Sequence, residues 1–436
     1  MKIVDLIRKK RDGESHSEEE IRFIVKGAAD NSISDYHLAA WLMAVYLRGM
    51  NDEEIVSFTK EMAFSGEVLD LSKVKGVKVD KHSTGGVGDK VSLVLGPLVS
   101  SAGVIFSKLS GRGLEHTGGT IDKLESIPGF KTNLSIEEFI KQLQTIGLAI
   151  AGQTQNLAPA DGRLYTLRNV TATIDSLPLI IGSILSKKIA AGADVIILDV
   201  KYGSGAFMKD FKSAKILSQY LVSVGKKLGK SISVLLSDMN QPLGKNIGNS
   251  LEVIEAIETL KGNGPEDLTT ICLKQGAILL YCGKLVSSLE EGENLLKENI
   301  KTGKALTKLE EMIKFQGGDI SIIDDYNKLP QASEKIIIKS PCKGYITRLD
   351  ALNIGKSVKL LGAGRDKKDD KIDLSVGLII NYKIGDYVEK EQPLVKLYVN
   401  DKSKLDNIIS LVTNAFEFSN KKPEKVPLIG EIIMER

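Results

Sequence analysis

Two glycine-rich stretches carry lysine, serine and threonine side chains in a pattern that suits an oxyanion. The richer stretch runs from Lys108 to Glu125 and reads KLSGRGLEHTGGTIDKLE. The other lies upstream, from Lys81 to Lys90, and reads KHSTGGVGDK. Glycines let backbone N–H groups approach a ligand closely, and ammonium and hydroxyl groups match phosphate oxygens. Together the two stretches predict a phosphate site assembled between strand ends.

Neither stretch matches a common nucleotide-binding motif. The P-loop pattern GxxxxGK[ST] is absent, and the first stretch lacks the third glycine of the dinucleotide fingerprint. His82 and His116 lie inside the two stretches, which favours a role for each near the ligand. The other histidines, His16 and His37, lie on predicted N-terminal helices and are interpreted as structural.

Two carboxylates close the second stretch. Asp122 and Glu125 are three residues apart at the start of a predicted helical turn. This placement favours helix capping and pairing with Arg112 or Lys123 over acid–base catalysis.

A further group of polar residues lies in a helical interruption of the strand pattern. Ser183 and Lys187 are four residues apart and therefore share one helix face, and Arg168 precedes them. Converging on a pocket, they could bind a planar polar ligand, with each charge-assisted hydrogen bond contributing about 1.5–3 kcal/mol. Spacing alone favours a solvated helix face instead, with Lys188 as a solvated neighbour.

The elements that must position these residues change character along the chain. Residues 1–66 read as helices, and Ser17 with Glu20 forms a capping box. Strands then alternate with glycine loops and helices, which is typical of a parallel α/β sheet that binds ligands at the carboxyl ends of its strands. The predicted strands are 77–80, 103–106, 149–151, 193–200 and 232–236. After about Leu329, period-two alternation predicts a β-rich C-terminal module.

Composition limits the class of protein. A chain of 436 residues favours two or three domains. A net charge of +3 and 5% aromatic residues give no reason to expect a nucleic-acid partner. Three cysteines without metal-ligand spacing favour reduced thiols in a cytoplasmic enzyme. No stretch approaches the roughly 20 apolar residues of a membrane span, and we expect neither a signal peptide nor a membrane partner.

Several long motifs, in the same order, resemble the thymidine and pyrimidine-nucleoside phosphorylase family. They are DKHSTGGVGD, SGRGLEHTGGTIDKLE, ADGRLYTLRNVTAT, GSILSKK and DVKYGSGAFMK, and the similarity covers almost the whole chain. The resemblance implies an α/β fold with a cleft between a small all-α lobe and a large mixed α/β lobe, in a homodimer joined through N-terminal helices. The implied boundaries are 1–66 and 160–193 for the all-α lobe, 67–159 and 194–334 for the α/β lobe, and 335–436 for its β-rich C-terminal module.

The resemblance also implies a pentosyltransferase reaction without an organic cofactor. Inorganic phosphate, the co-substrate, would attack the anomeric carbon of uridine, thymidine or deoxyuridine and release the base and a (deoxy)ribose 1-phosphate, reversibly. Arg168, Ser183 and Lys187 would hold the pyrimidine, which reverses the interpretation from spacing, and His82 would stabilise or protonate the leaving base. The residues implied to hold phosphate are Lys81, Ser83, Ser92, Lys108, Ser110 and Thr120.

Lys108, in the second stretch, bears on which nucleosides the enzyme accepts. Lys108 resembles the enzymes that accept both uridine and thymidine, whereas strict thymidine phosphorylases carry an apolar residue there. We therefore expect activity on ribo- and deoxyribonucleosides, with a strict thymidine phosphorylase as the alternative.

Glu115, also in the second stretch, replaces a residue that is usually small in the family. A carboxylate there is unfavourable near phosphate unless it points away or pairs with Arg112.

The resemblance further implies a monovalent-cation site, for potassium, next to the first stretch. The carbonyl groups of Gly88, Leu243 and Asn246 and the carboxylate of Glu255 would form it. Family members carry a hydroxyl residue where this chain has Lys90. Because an ammonium group could compete with potassium, we expect a weakened or replaced cation site.

Two other classes of protein remain as alternatives. An anthranilate phosphoribosyltransferase-like enzyme would share the lobes, but the loops lack a clear acidic pair for magnesium and the C-terminal module is extra. A non-catalytic nucleotide-binding or growth-factor-like protein is disfavoured by the intact set of Lys81, Ser83, Arg168 and Lys187.

Overall fold

A computed structural model describes residues 1–113, 118–154, 156–365 and 370–434. Within these ranges a helical bundle packs beside an α/β sheet, and two small sheets follow in the C-terminal third. No helix of the described ranges is long and apolar enough to cross a membrane.

The helices and strands agree in type with the predicted pattern, and their bounds follow in chain order. The helices are α1 (Ile3–Arg11), α2 (Glu18–Ala29), α3 (Asp35–Arg48), α4 (Asp52–Ala63), α5 (Val91–Ser100), α6 (Thr120–Leu124), α7 (Ile136–Ile146), α8 (Pro159–Val170), α9 (Leu177–Ala190), α10 (Phe211–Lys227), α11 (Asn249–Leu260), α12 (Glu266–Cys282), α13 (Leu289–Lys301), α14 (Lys304–Phe315), α15 (Ala351–Val358) and α16 (Leu405–Thr413). The strands are β1 (Lys78–Ser83), β2 (Ile105–Ser110), β3 (Leu148–Gly152), β4 (Val195–Tyr202), β5 (Ser231–Asp238), β6 (Asn246–Ile247), β7 (Glu334–Lys339), β8 (Gly344–Leu349), β9 (Gly377–Ile380), β10 (Tyr387–Val388), β11 (Pro393–Val399), β12 (Phe416–Ser419) and β13 (Ile429–Met434).

The N-terminal helices form one apolar core with α8 and α9. Ser17 caps α2 in a capping box with Glu20, as predicted. Trp41 and Phe58 are buried at the centre of this core, together with Leu164 of α8. The sequence interruption is therefore a part of the helical bundle that the chain adds after the first strands.

Helix α9 joins the bundle to the sheet because its two faces pack on different partners. On one side Gly182 lies so close to α4 that a Cβ atom would come within 2.7 Å of both Phe58 and Met62. On the other side Leu185 shares a core with Ile196 of β4. Polar residues of α9 are consequently carried to the edge where the bundle meets the strand ends.

The main sheet has six strands in the order β13-β5-β4-β1-β2-β3. The strands β1 to β5 pair in parallel, and β13 pairs antiparallel to β5. Helices α5, α11, α12 and α14 share an apolar core on one face, and α9 and α10 pack on the other. A layered parallel sheet of this kind places ligands at the carboxyl ends of its strands.

The C-terminal third contains the predicted β-structure, and it also contains helices that the alternation did not indicate. Its strands form a three-stranded sheet, β10-β8-β12, and, together with the short β6 from the α/β region, a four-stranded sheet, β6-β9-β11-β7. Helices α15 and α16 lie between these strands in the chain. The last strand, β13, leaves the small sheets and completes the edge of the main sheet.

Candidate active site

The residues predicted to face phosphate meet at the ends of two neighbouring strands. Strand β1 pairs with β4 as far as Ser83, and β2 pairs with β3 as far as Ser110. Lys81 and Lys108 are therefore strand residues, and the predicted strand ends at 80 and 106 are wrong. The Lys108 ammonium donates to the Lys81 carbonyl oxygen at 2.6 Å, which ties the two strand ends together.

The glycine loop of residues 84–90 turns the chain from β1 into α5. Gly85 and Gly88 have φ values of +96° and +75°, a region that other residues rarely adopt. A Cβ atom on Gly88 would lie 2.4 Å from the Leu243 carbonyl oxygen, so the loop packs directly on neighbouring backbone. Ser92 follows in the first turn of α5 and is buried.

Carboxylates beneath the loop hold the Lys81 ammonium. Its Nζ atom lies 3.3 Å from Asp89 and 3.9 Å from Asp199. Lys201, fully buried, pairs with Asp199 at 2.9 Å. Burial raises the pKa of Asp89, but the ammonium groups of Lys81, Lys201 and Lys123 outweigh it and hold that pKa well below its usual value. Asp89 is therefore ionised and fixes a cation at the strand end.

Lys123 links the second stretch to the first. Its ammonium donates to the Asp89 carbonyl oxygen at 2.7 Å and pairs with Glu252 at 2.8 Å. Lys123 lies on α6, whose first residue is Thr120. The contacts of Lys123 thereby hold α6 next to the first loop.

Lys108 differs from the other buried lysines of this region. The ion pairs of the described residues give it no carboxylate partner, although Asp80 and Asp89 are near enough to act on its charge. Burial and the Lys188 ammonium lower the pKa of Lys108 to about 7. Its proton is thus held weakly, and an anion at the strand ends would stabilise the charged form.

The carboxylates of the second stretch pair with Arg112 as predicted, but the predicted helix capping is wrong, because α6 begins without a side-chain cap. Arg112 pairs with Asp122 at 3.1 Å and binds Glu125 through two nitrogen atoms, at 2.5 and 2.7 Å. Glu115, His116 and Thr117 lie outside the described residues, so their predicted roles stay predictions.

Helices α8 and α9 carry the three residues predicted to bind a base. Arg168 and Ser183 are buried, and the Lys187 side chain, 28% exposed, pairs with the buried Asp161 at 2.6 Å. The solvated helix face that spacing favoured is therefore wrong for Ser183, and Lys187 on the same face is held by an ion pair with α8. Arg168 donates through three nitrogen atoms to the carbonyl groups of Thr173, Ile174 and Leu179.

Tyr165 is a site residue that the sequence did not single out. Its ring centroid lies 5.7 Å from the guanidinium carbon of Arg168 and 5.5 Å from Nζ of Lys187, so two cations approach one aromatic ring. The sequence contains a pattern that could have identified Tyr165, because Asp161, Tyr165 and Arg168 lie at helical spacing on α8.

Lys188 is buried, and its interpretation as a solvated neighbour of Lys187 is wrong. It is 4% exposed and pairs with Asp80 of β1 at 2.7 Å. The reason is the packing of α9 on the sheet, which directs consecutive lysines to different surroundings. Lys187 lies among the polar residues of α8, and Lys188 lies under the strand ends.

His82 is a residue of β1 and directly follows Lys81. Burial, followed by the ammonium groups of Lys188, Lys108, Lys81 and Lys187, lowers the pKa of His82 well below its usual value. Cations of the strand ends and of α9 both act on this one ring. His82 is consequently a neutral imidazole near pH 7. Its N–H group can donate a hydrogen bond, but the ring does not act as a general acid.

The residues predicted to form a cation site surround the side chain of Lys90. Its ammonium donates to the carbonyl oxygens of Leu243 at 3.0 Å and Asn246 at 2.8 Å, and to Glu255 at 2.5 Å. Burial lowers the pKa of Lys90, but the carboxylates of Glu255 and Glu252 outweigh this effect and raise it. The chain's own ammonium group thus already uses two of the carbonyl oxygens and the carboxylate that were predicted for the cation site.

Comparisons with known proteins agree with this architecture. Residues 4–66 match the helical bundle domain of the glycosyl transferase family, and residues 75–306 match its a/b domain. Anthranilate phosphoribosyltransferase from Thermus thermophilus superposes with a TM-score of 0.57 over 71% of this chain and 98% of that one. At 20% identity that likeness concerns the fold alone. The chain therefore belongs to the glycosyl transferase family that pairs these two domains.

More similar relatives narrow the class. Residues 345–419 match the pyrimidine nucleoside phosphorylase C-terminal domain. Pyrimidine-nucleoside phosphorylase of Geobacillus stearothermophilus is 51% identical over 94% of both chains. The enzymes of that name from Staphylococcus epidermidis and Bacillus subtilis are 48% and 50% identical, over 100% and 94% of this chain and 100% and 95% of theirs. The chain thus belongs to the pyrimidine-nucleoside phosphorylase family.

Proposed function

We propose that this protein catalyses the reversible phosphorolysis of pyrimidine nucleosides. The observation that carries the proposal is the contact of α9 with the strand ends: Lys188 pairs with Asp80 of β1 at 2.7 Å and donates to the Leu109 carbonyl oxygen of β2 at 3.4 Å. The preceding residue, Lys187, lies beside Tyr165 and Asp161 of α8. An anion site and a site for a planar polar group are therefore adjacent. We infer that the lobe of residues 1–66 and 160–193 supplies the base side of a cleft whose closure brings the substrates together.

Phosphate is itself the nucleophile in this reaction, so no side chain need form a covalent bond. One phosphate oxygen forms a bond to the anomeric carbon as the bond from that carbon to the base nitrogen breaks, and the bonding electrons leave with the base. The protein has to position the anion and stabilise the charges that develop. The residues proposed to hold phosphate are Lys81, Ser83, Ser92, Lys108, Ser110 and Thr120.

Arg168, Ser183 and Lys187 are proposed to bind the pyrimidine. A guanidinium group has five N–H donors, and the hydrogen bonds of Arg168 to backbone carbonyl groups fix its plane. The ammonium of Lys187 would stabilise the negative charge that the leaving base acquires. His82, as a neutral imidazole, would donate an N–H hydrogen bond to that base rather than transfer a proton.

We propose that Lys108 indicates an enzyme that accepts both ribo- and deoxyribonucleosides. We expect kcat/KM values for uridine and thymidine that agree within about tenfold, which corresponds to about 1.4 kcal/mol. Phosphate-dependent release of uracil and thymine, followed by absorbance or chromatography, measures both. Activity confined to thymidine and deoxyuridine would identify a strict thymidine phosphorylase, and the absence of any release would overturn the proposed function.

The weakly held proton of Lys108 predicts a pH effect on phosphate binding. Below pH 7 the free enzyme carries the Lys108 ammonium, and above pH 7 it loses that charge. The KM for phosphate of Lys108→Met should exceed that of the wild type about tenfold or more near pH 6, the worth of one charge-assisted hydrogen bond. The ratio should fall as the pH rises through 7.

Taking the ratio cancels the ionisation of phosphate itself, because both proteins meet the same mixture of ions. The other charged groups that act on Lys108 are Lys81, Lys188, Asp80 and Asp89, and they are present in both proteins. A ratio that stays constant from about pH 6 to pH 8.5 would contradict the assignment.

We further propose that the Lys90 ammonium takes the place of a free monovalent cation. Two backbone carbonyl oxygens and the Glu255 carboxylate supply its hydrogen bonds, which is the donor set that a potassium ion would otherwise use. An ammonium that is part of the chain needs no salt in the medium to keep this site filled.

A homodimer through the N-terminal helices is also proposed. Large apolar side chains are exposed on α1, α3 and the end of α8, where a soluble monomer would rarely collect them. Burial against a second copy across a two-fold axis would remove them from water. The residues concerned are Val4, Tyr36, Tyr46, Leu47 and Val170.

A further inference from the structure

A buried ion pair joins the C-terminal third to the second glycine-rich stretch, Lys108 to Glu125. Nη1 of Arg365 lies 2.7 Å from Oδ1 of Asp122, and the two side chains are 9% and 3% exposed. Arg365 follows the π-helical turn Lys359–Ala363, and its Nε atom donates to the carbonyl oxygen of Asp370 at 3.1 Å. Nothing in the proposed chemistry uses this arginine.

Asp122 links the segment that ends at Gly113 to the segment that begins at Gly118. Its Oδ2 atom accepts the backbone N–H of Gly113 at 2.8 Å. A Cβ atom on Gly119 would lie only 2.1 Å from the Gly113 nitrogen, so the two segments touch at this point. One carboxylate therefore sets the distance between the end of β2 and the start of α6.

That distance bears directly on the proposed phosphate site. Ser110 is the last residue of β2, and Thr120 is the first residue of α6. Their hydroxyl groups can bind one anion only if the two backbones keep a fixed separation. Gly113 lies three residues after Ser110, and Asp122 lies two residues after Thr120, so the contact between them holds both ends.

Asp122 needs a buried counter-charge, and Arg365 provides it. A buried carboxylate without a partner is strongly unfavourable. Arg112 also approaches Asp122, at 3.1 Å, but its side chain is 41% exposed and it is bound through two nitrogen atoms to Glu125. Arg365 is the better shielded of the two cations and makes the shorter contact.

We propose that Arg365 is a positioning residue for the phosphate site, acting through Asp122 and Gly113. It touches no substrate, and its charge holds the carboxylate that fixes Ser110 relative to Thr120. The C-terminal third thereby contributes to the geometry of the anion site. The inference rests on the proposed function for the identity of the anion.

The test is a comparison of kinetic constants between Arg365→Met and a matched control. The KM for phosphate should rise at least about tenfold, since misplacing groups by about 1 Å can cost 10²-fold. The KM for uridine should stay within about twofold, because α8 and α9 are untouched. Arg348→Met serves as the control, because Arg348 is 51% exposed and pairs on the surface of the same region with Asp350 and Glu417.

Two further variants separate positioning from folding. Arg365→Lys keeps the charge and should recover part of the phosphate affinity. Asp122→Asn should raise the KM for phosphate like Arg365→Met, and the double variant should be no worse than either single one. An unchanged KM for phosphate in folded Arg365→Met, or equal rises in both KM values, would overturn the proposal.

Binding of inorganic phosphate distinguishes this proposal from the proposed function. A rise in the Tm of the wild type with phosphate, reduced in Arg365→Met and retained in Arg348→Met, would support the role of Arg365 even if no nucleoside were cleaved. Equal rises in the Tm of all three proteins would contradict it, whatever the catalytic activity.

Discussion

Lys187→Ala lowers kcat/KM for both uridine and thymidine by about 10²–10³-fold, the effect expected on removing one charge-stabilising donor from a catalytic site. The leaving base acquires negative charge, and in the proposed function it is stabilised by the Lys187 ammonium, which α9 holds against Asp161 at 2.6 Å. Steady-state kinetics with both nucleosides at saturating phosphate measures the loss. The KM for phosphate should change little, because the strand ends are untouched.

Stability has to be separated from activity in this variant, since Lys187 pairs with the buried Asp161 at 2.6 Å. The companion variant Lys187→Ala with Asp161→Asn removes the orphaned charge, and it should recover Tm without recovering activity. Lys227→Ala, which removes an exposed lysine paired with Asp52, serves as the control. Full activity in folded Lys187→Ala would refute the base-binding role.

Lys90→Ser lowers the free energy of unfolding by about 3–5 kcal/mol in buffer without potassium or sodium, the usual cost of removing one partner of a buried ion pair. Glu255 and two carbonyl oxygens are left without the cation they share in the wild type. Potassium chloride should restore much of the loss, because a cation bound at 100 times its Kd contributes about 2.7 kcal/mol. Thermal or urea unfolding measures both effects.

The controls for the Lys90 prediction vary the salt and the side chain. Choline chloride supplies ionic strength without a small cation, and it should not rescue Lys90→Ser. Lys90→Met fills the space without charge, and potassium should not rescue it either. A wild-type protein whose stability or activity depends strongly on potassium would contradict the assignment.

Local patterns predicted the helices and strands well where short-range chemistry decides the structure. The predicted capping box of Ser17 with Glu20 is realised at the start of α2. The strands β1 and β2 extend further than expected because polar residues near a ligand interrupt the apolar pattern that marks a strand. Lys81 and Lys108 keep extended backbone through pairing with β4 and β3, which the local sequence does not reveal.

The resemblance to a known family grouped the candidate site residues better than spacing did. Spacing placed Ser183 and Lys187 on a solvated face, whereas Ser183 is buried and Lys187 pairs with Asp161 of α8 in the structure. It also treated Lys188 as solvated, although its burial follows from the contact of α9 with β1. The ion pair of Asp122 with Arg365 joins residues 243 positions apart, a separation that a single sequence cannot connect.

In the proposed reaction, phosphate itself attacks the anomeric carbon at a site beside the base. Phosphorus NMR of uridine incubated with the protein and inorganic phosphate tests it directly, with uracil measured in parallel. We expect ribose 1-phosphate and uracil in equal amounts, and neither product without phosphate. Release of uracil in the absence of phosphate, or release without ribose 1-phosphate, would contradict the account.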